Sequence, residues 1–419
     1  LVPGEPEKVR RLDCRFTRPL YPGTPIDVLI WKTEEGRALW RVVHAESGET
    51  VIDNGVFEYG DIPKEEIRFD GRVAIVTGAG AGLGRVYALE LAERGAKVVV
   101  NDLGGARDGS GDGSAAPAEQ VVAEIKAKGG EAVANYDNVA TQEGGQAIVQ
   151  SALDAFGTVD ILINNAGILR DKSFLKMEPE TWKAVIDVHL NGAYNVTRPA
   201  FAVMKEKGYG RIVMTTSAAG LYGNFGQTNY TAAKMAVVGL MNALKIEGQK
   251  YDIKVNTVAP VAASRLTEDV IPPDLLEKLK PEYVAPMVLY LSSDSCPVSG
   301  NIYNAGMGFF NRAAVVTGPG VVLGQDDQVP SAEDLMQQWE KVASLKNGKE
   351  YWHLNEQIGD LLAAFDAPAA ELAPADVGFT SAAAVFESMP AAFLADAAAG
   401  VDTVFQYHVS GDNGGDWHC

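Results

Sequence analysis

Three residues that can move a proton and polarise a carbonyl lie close together in the chain. Ser217 ends the apolar run GRIVMTTS, and the segment YTAAK supplies Tyr230 and Lys234. The tyrosine and the lysine share one face if this segment is helical, because they lie one helical turn apart. An ammonium beside a phenol lowers the phenol pKa and favours the tyrosinate. The pattern predicts that Tyr230 exchanges a proton with an alcohol or ketone, while Ser217 hydrogen-bonds the carbonyl or the developing alkoxide.

A glycine-rich segment upstream predicts a dinucleotide site. The strand-like run VAIVTG continues into AGAGLG, which places Gly78, Gly82 and Gly84 in the spacing TGxxxGxG before a helix that starts near Leu83. Glycines let the backbone turn tightly and approach a pyrophosphate, which then lies at the helix N-terminus. A glycine-rich loop alone is weak support, but here it has the preceding strand and the following helix that this mechanism requires.

An acidic residue further along predicts which dinucleotide is bound. The next strand-like run, KVVVND, ends in Asp102. A carboxylate at this position accepts hydrogen bonds from the adenosine ribose hydroxyls and repels a 2′-phosphate. The residues that follow, Leu103, Gly104 and Gly105, offer no cation to such a phosphate. The sequence therefore favours NAD over NADP.

Alternating strands and helices are predicted to position these residues. Between Arg72 and about residue 310, apolar strand-like runs alternate with amphipathic helical segments. This alternation is typical of an α/β fold with a Rossmann-type, doubly wound parallel sheet. The predicted strands are VAIVTG, KVVVND, AVANYD, VDILINNAG, GRIVMTTS and IKVNTVAP.

The pattern changes on both sides of this region. Short β-rich runs from Phe16 to Tyr59 predict an antiparallel β segment, residues 320–365 are predicted to be helical, and DAPAAELAPAD is predicted to be an extended linker. A helix with an internal proline and the strand TVFQYHV then begin a third unit. The predicted boundaries are a β-rich segment at 1–62, a dinucleotide-binding domain at 63–312, its helical extension at 313–365, a linker at 366–378 and a partial domain at 379–419.

The composition argues against several classes of function. A formal net charge of -19 with no compensating basic stripe disfavours nucleic-acid binding. No run approaches the ~20 apolar residues of a membrane span, so we expect no membrane insertion. The three cysteines and five histidines form no cluster with metal-ligand spacing, so we predict no metal site and a structural or solvated role for each histidine.

Over about residues 68 to 310 the motifs resemble the short-chain dehydrogenase/reductase family. The resemblance rests on TGAGAGLG, NNAG at 164–167, Ser217, YTAAK, Asn191 and NTVAP ending at Pro260. It implies a catalytic tetrad of Asn191, Ser217, Tyr230 and Lys234, in which Asn191 holds a water of the proton relay. The implied cofactor contacts, besides the glycine loop, Asp102, Tyr230 and Lys234, are Asp137 and Asn138 beside the adenine, Asn165 near the ribose, and Pro260, Ala262 and Ser264 beside the nicotinamide. Val261 stands where many members have glycine, which affects only the geometry of that loop.

Longer segments resemble the (3R)-hydroxyacyl-CoA dehydrogenases of type 2 peroxisomal multifunctional enzymes. These segments are VVVNDLGG, NNAGILRDKSF, GLYGNFGQTNYTAAK, ASRLT and LKPEYVAPMVLYL. The resemblance implies NAD-dependent oxidation of a (3R)-3-hydroxyacyl-CoA thioester, in β-oxidation of fatty acids or steroid side chains, by a homodimer. It implies a cytoplasmic enzyme if the source is bacterial, which the Ala/Gly-rich composition favours, and a peroxisomal one if it is eukaryotic.

The flanks resemble the usual companions of such a dehydrogenase. RFTRPLYPGTPIDVLIW and VIDNGVFEYG resemble the end of a hot-dog, MaoC-like enoyl-CoA hydratase 2, and TVFQYHVSGDNGGDW resembles the start of a sterol-carrier domain. We expect both to be partial. The first flank lacks the DxNPLH-type segment that carries the hydratase Asp and His, so we expect it to be catalytically silent.

Two other functions remain open. One is a short-chain dehydrogenase acting on a hydroxysteroid or a 3-oxoacyl carrier, and Asp102 argues against the NADP-dependent carrier reductases. The other is a lipid-binding scaffold with an inactive core, which the presence of the glycine loop, Tyr230 and Lys234 disfavours.

Overall fold

The computed structural model describes residues 8–60, 66–106, 108–111, 113–262, 277–324, 329–366, 406–409 and 415–418. The chain divides into two compact units, residues 1–313 and 314–419. The predicted boundary near residue 62 and nearly all of the linker lie outside the described residues, so the domain limits stay a prediction.

The first unit begins with an antiparallel sheet. Its strands are β1 (Val9–Phe16), β2 (Ile26–Glu34), β3 (Arg37–His44) and β4 (Thr50–Tyr59), in the order β1-β4-β3-β2. Ala38, Val42 and Val51 are buried, whereas β1 and β2 are exposed along their whole lengths. The predicted β segment is confirmed, and its hot-dog identity stays a prediction.

A second sheet, with eight strands among the described residues, positions the predicted site. All six predicted strands are present, and every residue of the first of them is buried. The strands are β5 (Val73–Thr77), β6 (Lys97–Asn101), β7 (Glu131–Asn135), β8 (Ile161–Asn164), β9 (Gly210–Thr215), β10 (Ile253–Pro260), β11 (Ile302–Gly306) and β12 (Phe309–Ala313). Neighbouring strands are parallel except β12, which pairs antiparallel with β11. Sequence reasoning missed these last two strands because neither has a continuous apolar run.

Helices cover both faces of this sheet. They are α1 (Gly82–Glu93), α2 (Ala116–Ala127), α3 (Gln142–Phe156), α4 (Pro179–Ile186), α5 (Gly192–Lys207), α6 (Ala218–Tyr222), α7 (Thr228–Gly248) and α8 (Ala285–Ser292). One core contains apolar residues of α1, α2 and α8, and the other contains those of α3, α5 and α7. Burial on both faces explains why the strands are apolar throughout and do not alternate. Within the described ranges, no helix is long and apolar enough to cross a membrane.

The strand order determines where a ligand can bind. The order is β12-β11-β10-β9-β8-β5-β6-β7, so the chain changes direction across the sheet between β5 and β8. In doubly wound folds the ligand binds beyond the carboxyl ends of the strands at this point. The loops TGAGAGLG and NNAG follow these two strands and are therefore neighbours.

The second unit contains short elements in its described part. Its helices are α9 (Ala332–Gln337), α10 (Trp339–Ala343) and α11 (Leu354–Asp366), and its strands β13 (Gln406–Val409) and β14 (Gly415–His418) pair antiparallel. Residues 320–365 were predicted to be helical, but among the described residues of this range only these three segments are helices. Helices α9 and α10 are separated at Gln338, whose ψ of 13° departs from helical geometry. Ser331 forms a capping box with Asp334 at the start of α9. The predicted proline-containing helix after the linker lies outside the described residues.

Candidate active site

A cleft of about 770 Å³ lies at the carboxyl ends of the central strands. Its size is in the range of cofactor and small-molecule sites, roughly 300–1,000 Å³. The predicted site residues that line it are Gly78, Gly82, Leu83, Asp102, Asp137, Asn138, Asn165, Ser217, Tyr230, Lys234, Pro260 and Ala262. Gly84 and Asn191 are not among the lining residues, and Ser264 lies outside the described residues.

The glycine loop has a shape that fits a pyrophosphate. Gly78 and Gly82 adopt φ values of +63° and +53°, which favour glycine. A Cβ on Gly84 would lie 2.3 Å from the carbonyl oxygen of Gly78, so this glycine lets α1 pack against the loop. Asn165 donates from Nδ2 to the carbonyl oxygens of Thr77 at 3.0 Å and Gly78 at 3.1 Å. The NNAG loop therefore supports the glycine loop.

Asp102 lies beside the glycine loop at the end of β6. Its carboxylate accepts hydrogen bonds from the backbone N–H groups of Gly80 at 2.8 Å and Gly104 at 2.7 Å. The side chain is held in the cleft next to the loop, as a ribose ligand should be. Asp137 and Asn138 follow β7, and the Asn138 side chain accepts from the backbone N–H of Ala140. The side chains of Asp102, Asp137 and Asn138 therefore offer hydrogen-bond donors and acceptors that fit a dinucleotide.

Helix α7 presents the tyrosine and lysine to the cleft, as predicted. Lys234 is 4% exposed, and its Nζ donates to the carbonyl oxygen of Thr215 at 2.6 Å. The same nitrogen lies 5.6 Å from the centroid of the Tyr230 ring. Ser217 is the N-cap of α6, where its Oγ accepts from the backbone N–H of Ala219 at 3.2 Å. The cap orients the serine hydroxyl, and Ser217 lines the same cleft as Tyr230.

Burial has the largest effect on the pKa values of Tyr230 and Lys234. It raises the pKa of Tyr230 above its ordinary value, with Asp171 adding to the rise and the Ser217 hydrogen bond opposing it. Burial also lowers the pKa of Lys234 from 10.5 to about 7. The net shift of the Tyr230 pKa is therefore upward and not downward as the spacing predicted, because removal of the phenolate from water is the largest effect.

Two buried residues that support the site were missed by sequence reasoning. Asn229 accepts from the backbone N–H of Tyr230 at 2.8 Å and donates to the carbonyl oxygen of Arg170 at 3.0 Å, which ties α7 to the loop after β8. His189 is 4% exposed, and its ring meets that of Tyr230 edge-on with centroids 5.1 Å apart. Neither has a sequence signal, since only the folded chain brings them to the tyrosine.

Asn191 does not join the other members of the predicted tetrad. It ends the π-helical turn Asp187–Asn191, is exposed, and donates from Nδ2 to Asp187 at 2.9 Å. Its role in holding a water stays a prediction.

The chain is similar to known dehydrogenases over this region. The short chain dehydrogenase family matches residues 72–269. A short-chain type dehydrogenase/reductase of Mycobacterium tuberculosis is 53% identical over 278 residues, which are 66% of this chain and 96% of that protein. The chain belongs to the short-chain dehydrogenase family. Its fold is that of this family.

Longer, multifunctional relatives contain a similar region. Peroxisomal multifunctional enzyme type 2 of Mus musculus is 51% identical over 296 residues, 71% of this chain but only 40% of that enzyme. The structure of full-length peroxisomal multifunctional enzyme type 2 from Drosophila melanogaster matches with a TM-score of 0.61 and 41% identity, over 71% of this short-chain dehydrogenase and 50% of that chain. The chain thus spans half or less of these two enzymes.

Proposed function

We propose that this short-chain dehydrogenase oxidises (3R)-3-hydroxyacyl-CoA thioesters to 3-oxoacyl-CoA with NAD, in β-oxidation of fatty acids or steroid side chains. The observation that supports the chemistry is that Ser217, Tyr230 and Lys234 line the same cleft as Asp102 and the glycine loop. The substrate class is supported by the 51% identity to the mouse multifunctional enzyme. The peroxisomal names belong to the relatives, and the compartment of this protein stays a prediction.

Each residue of the cleft has a different role in the proposed reaction. Tyr230 takes the proton of the substrate hydroxyl through its phenol oxygen, and Ser217 hydrogen-bonds the substrate oxygen and holds it towards the phenol. Lys234, anchored on the Thr215 carbonyl oxygen, supplies positive charge that favours the tyrosinate. When bound, NAD supplies the hydride acceptor, and the glycine loop and Asp102 would hold its pyrophosphate and ribose.

Stereoselectivity tests the substrate class. A single base and a single hydride acceptor must face the carbinol carbon together, so only one enantiomer can react efficiently, and a misplacement of about 1 Å costs on the order of a hundredfold. We expect NADH formation from (3R)- but not (3S)-3-hydroxyacyl-CoA, followed by absorbance with each epimer separately. Free hydroxysteroids and 3-hydroxyacyl carriers, which can also be oxidised, serve as the comparison. Faster turnover of the (3S) epimer, or of a free steroid, would remove the proposed substrate.

Asp102 is predicted to determine the choice of cofactor. Asp102→Asn keeps the size of the side chain but removes the charge that repels a 2′-phosphate, and like-charge contacts cost several kcal/mol. We expect the ratio of kcat/KM for NADP over that for NAD to rise roughly tenfold or more. The charge-matched control is Asp154→Asn on α3, whose partner is Gln150 and which should leave the ratio unchanged. A wild-type preference for NADP would show that the cofactor assignment is wrong.

We further propose a homodimer, as the family resemblance implies. Tyr194 on α5 and Met235 and Ile246 on α7 are exposed apolar side chains on the two long helices that would meet. Light scattering should give twice the mass of the chain, and Met235→Glu should shift the equilibrium towards monomer. A monomeric wild type at micromolar concentration would contradict this proposal.

A further inference from the structure

A buried histidine lies directly behind the catalytic pair. His189 stands on the π-helical turn Asp187–Asn191, and its ring packs edge-on against Tyr230 at an interplanar angle of 88°. Its other side contacts the NNAG loop, where a Cβ on Gly167 would lie only 2.5 Å from His189 Cε1. The ring is therefore held between the NNAG loop and α7.

The two nitrogens of this ring have different surroundings. Nε2 lies 2.8 Å from the carbonyl oxygen of Ile168 and 3.2 Å from the backbone nitrogen of the same residue, and the shorter contact, to the oxygen, favours a ring proton on Nε2. Burial and the nearby Lys234 charge lower the pKa of His189 well below 6.5, so the ring is neutral. Nδ1 then carries a lone pair, and among the described residues this buried nitrogen has no hydrogen-bond partner. A buried acceptor without a partner is costly, roughly 1–3 kcal/mol.

A small polar cavity adjoins the histidine and the lysine. Its volume is about 10 Å³, close to the ~10–15 Å³ that one water requires. Lys234, Thr215, Asn164 and Thr77 line it together with His189. The lysine ammonium has three donors, and one of them is used by the Thr215 carbonyl oxygen.

We propose that His189 is a positioning residue for Lys234, and that it acts through one water in this cavity. The water donates to His189 Nδ1 and accepts from Lys234 Nζ. It hydrates an ammonium that is otherwise removed from solvent, and so keeps the charge that Tyr230 needs. This role is the one that the family resemblance assigned to Asn191, whose amide instead donates to Asp187 in the structure. The inference rests on the proposed function, because it concerns the same lysine.

Two substitutions separate the two nitrogens. His189→Asn places an amide oxygen near the position of Nδ1 and loses the Ile168 contact, whereas His189→Gln reaches the position of Nε2 and loses the Nδ1 acceptor. We expect the Asn variant to retain kcat within about threefold, since it preserves the water. The Gln variant should lose roughly tenfold in kcat at neutral pH with an unchanged KM, because an ammonium without its water is less stable and favours the tyrosinate less.

The pH profile distinguishes positioning from a structural role. The titratable groups next to His189 are Lys234, which lines the cavity with it, and Tyr230, whose ring packs against it, while Asp171 and Asp187 line the larger cleft. In His189→Gln the rising limb of kcat/KM for alcohol oxidation should move about one pH unit higher, with activity recovered at alkaline pH, while His189→Asn keeps the wild-type limb. Equal losses in both variants at every pH, or losses that follow the melting temperature, would overturn the proposal.

A high-resolution crystal structure of the wild-type protein provides a test that does not depend on activity. An ordered water within hydrogen-bond distance of both His189 Nδ1 and Lys234 Nζ is expected, and it should be absent in His189→Gln. A direct contact between the two nitrogens with no water would overturn the proposal. If the wild type oxidises none of the thioesters while the water is present, the proposed function fails and the placement of His189 stands.

Discussion

Tyr230→Phe is expected to lower kcat by roughly 10²–10⁴-fold, the usual contribution of a positioned general base. The substitution removes one hydroxyl from a ring that Lys234 and His189 already hold in place. Cofactor affinity should therefore be nearly unchanged, because the loss is confined to proton transfer. Steady-state kinetics with the preferred thioester, together with NADH titration by fluorescence, measure the two effects separately.

The matched control for this change is Tyr290→Phe. Tyr290 is a partly exposed tyrosine on α8 that does not line the cleft, so its variant should keep wild-type kcat and melting temperature. Near-native kcat in Tyr230→Phe would mean that another group takes the proton, and the assignment of the base would have to be abandoned.

Lys234→Met is expected to cost roughly 10²–10³-fold in kcat, by analogy with the removal of one preorganised charge or donor from an active site. Methionine fills a similar volume but supplies no charge to the tyrosinate. The control is Lys126→Met, an exposed lysine on α2. Activity of Lys234→Met within tenfold of wild type at neutral pH would contradict the electrostatic role.

The same substitution is expected to leave stability unchanged or higher at neutral pH. Burial lowers the pKa of Lys234 from 10.5 to about 7, which corresponds to a destabilisation on the order of 5 kcal/mol when the folded lysine is charged. Lys234→Met removes this cost, although the Thr215 carbonyl oxygen loses its donor, at roughly 1–3 kcal/mol. Such a trade of stability for function is expected where a buried charge serves catalysis, as proposed for Lys234.

The pH dependence of unfolding tests the sign of this effect. Between about pH 7 and 10.5 the unfolded lysine is protonated and the folded one is not, so the wild-type free energy of unfolding should rise with pH through this window. The contribution of the lysine is absent in Lys234→Met. The difference in the free energy of unfolding between this variant and the wild type should therefore be largest near pH 7 and should decrease as pH rises. Urea denaturation at several pH values measures it. A variant that is less stable by the same amount at every pH would show that the lysine is not destabilising.

Local sequence was sufficient to predict the elements that carry the site. The apolar runs before TGAGAGLG and NNAG predicted buried parallel strands, and each was found as predicted, because a strand covered on both faces must be apolar along its whole length. The spacing of Tyr230 and Lys234 likewise predicted that both lie on one face of a helix. The structure agrees, because α7 is a continuous helix. Strand β11 was not predicted, because its side chains are only partly apolar. Its place in the sheet depends on its pairing with β10.

Only the tertiary structure decided the pKa shifts of Tyr230 and Lys234, and only it showed that His189 contacts the tyrosine. Spacing showed that an ammonium could reach the Tyr230 phenol, but it could not show that burial raises the phenol pKa and lowers that of Lys234, because desolvation depends on what packs around both groups. His189 had no signal in the sequence, since it reaches Tyr230 through a turn of another segment. The sequence by itself therefore determined the fold and the shared helical face of Tyr230 and Lys234, through local periodicity and glycine geometry. The long-range packing of the NNAG loop, the π-helical turn and α7 decided how those groups are charged and which neighbours support them.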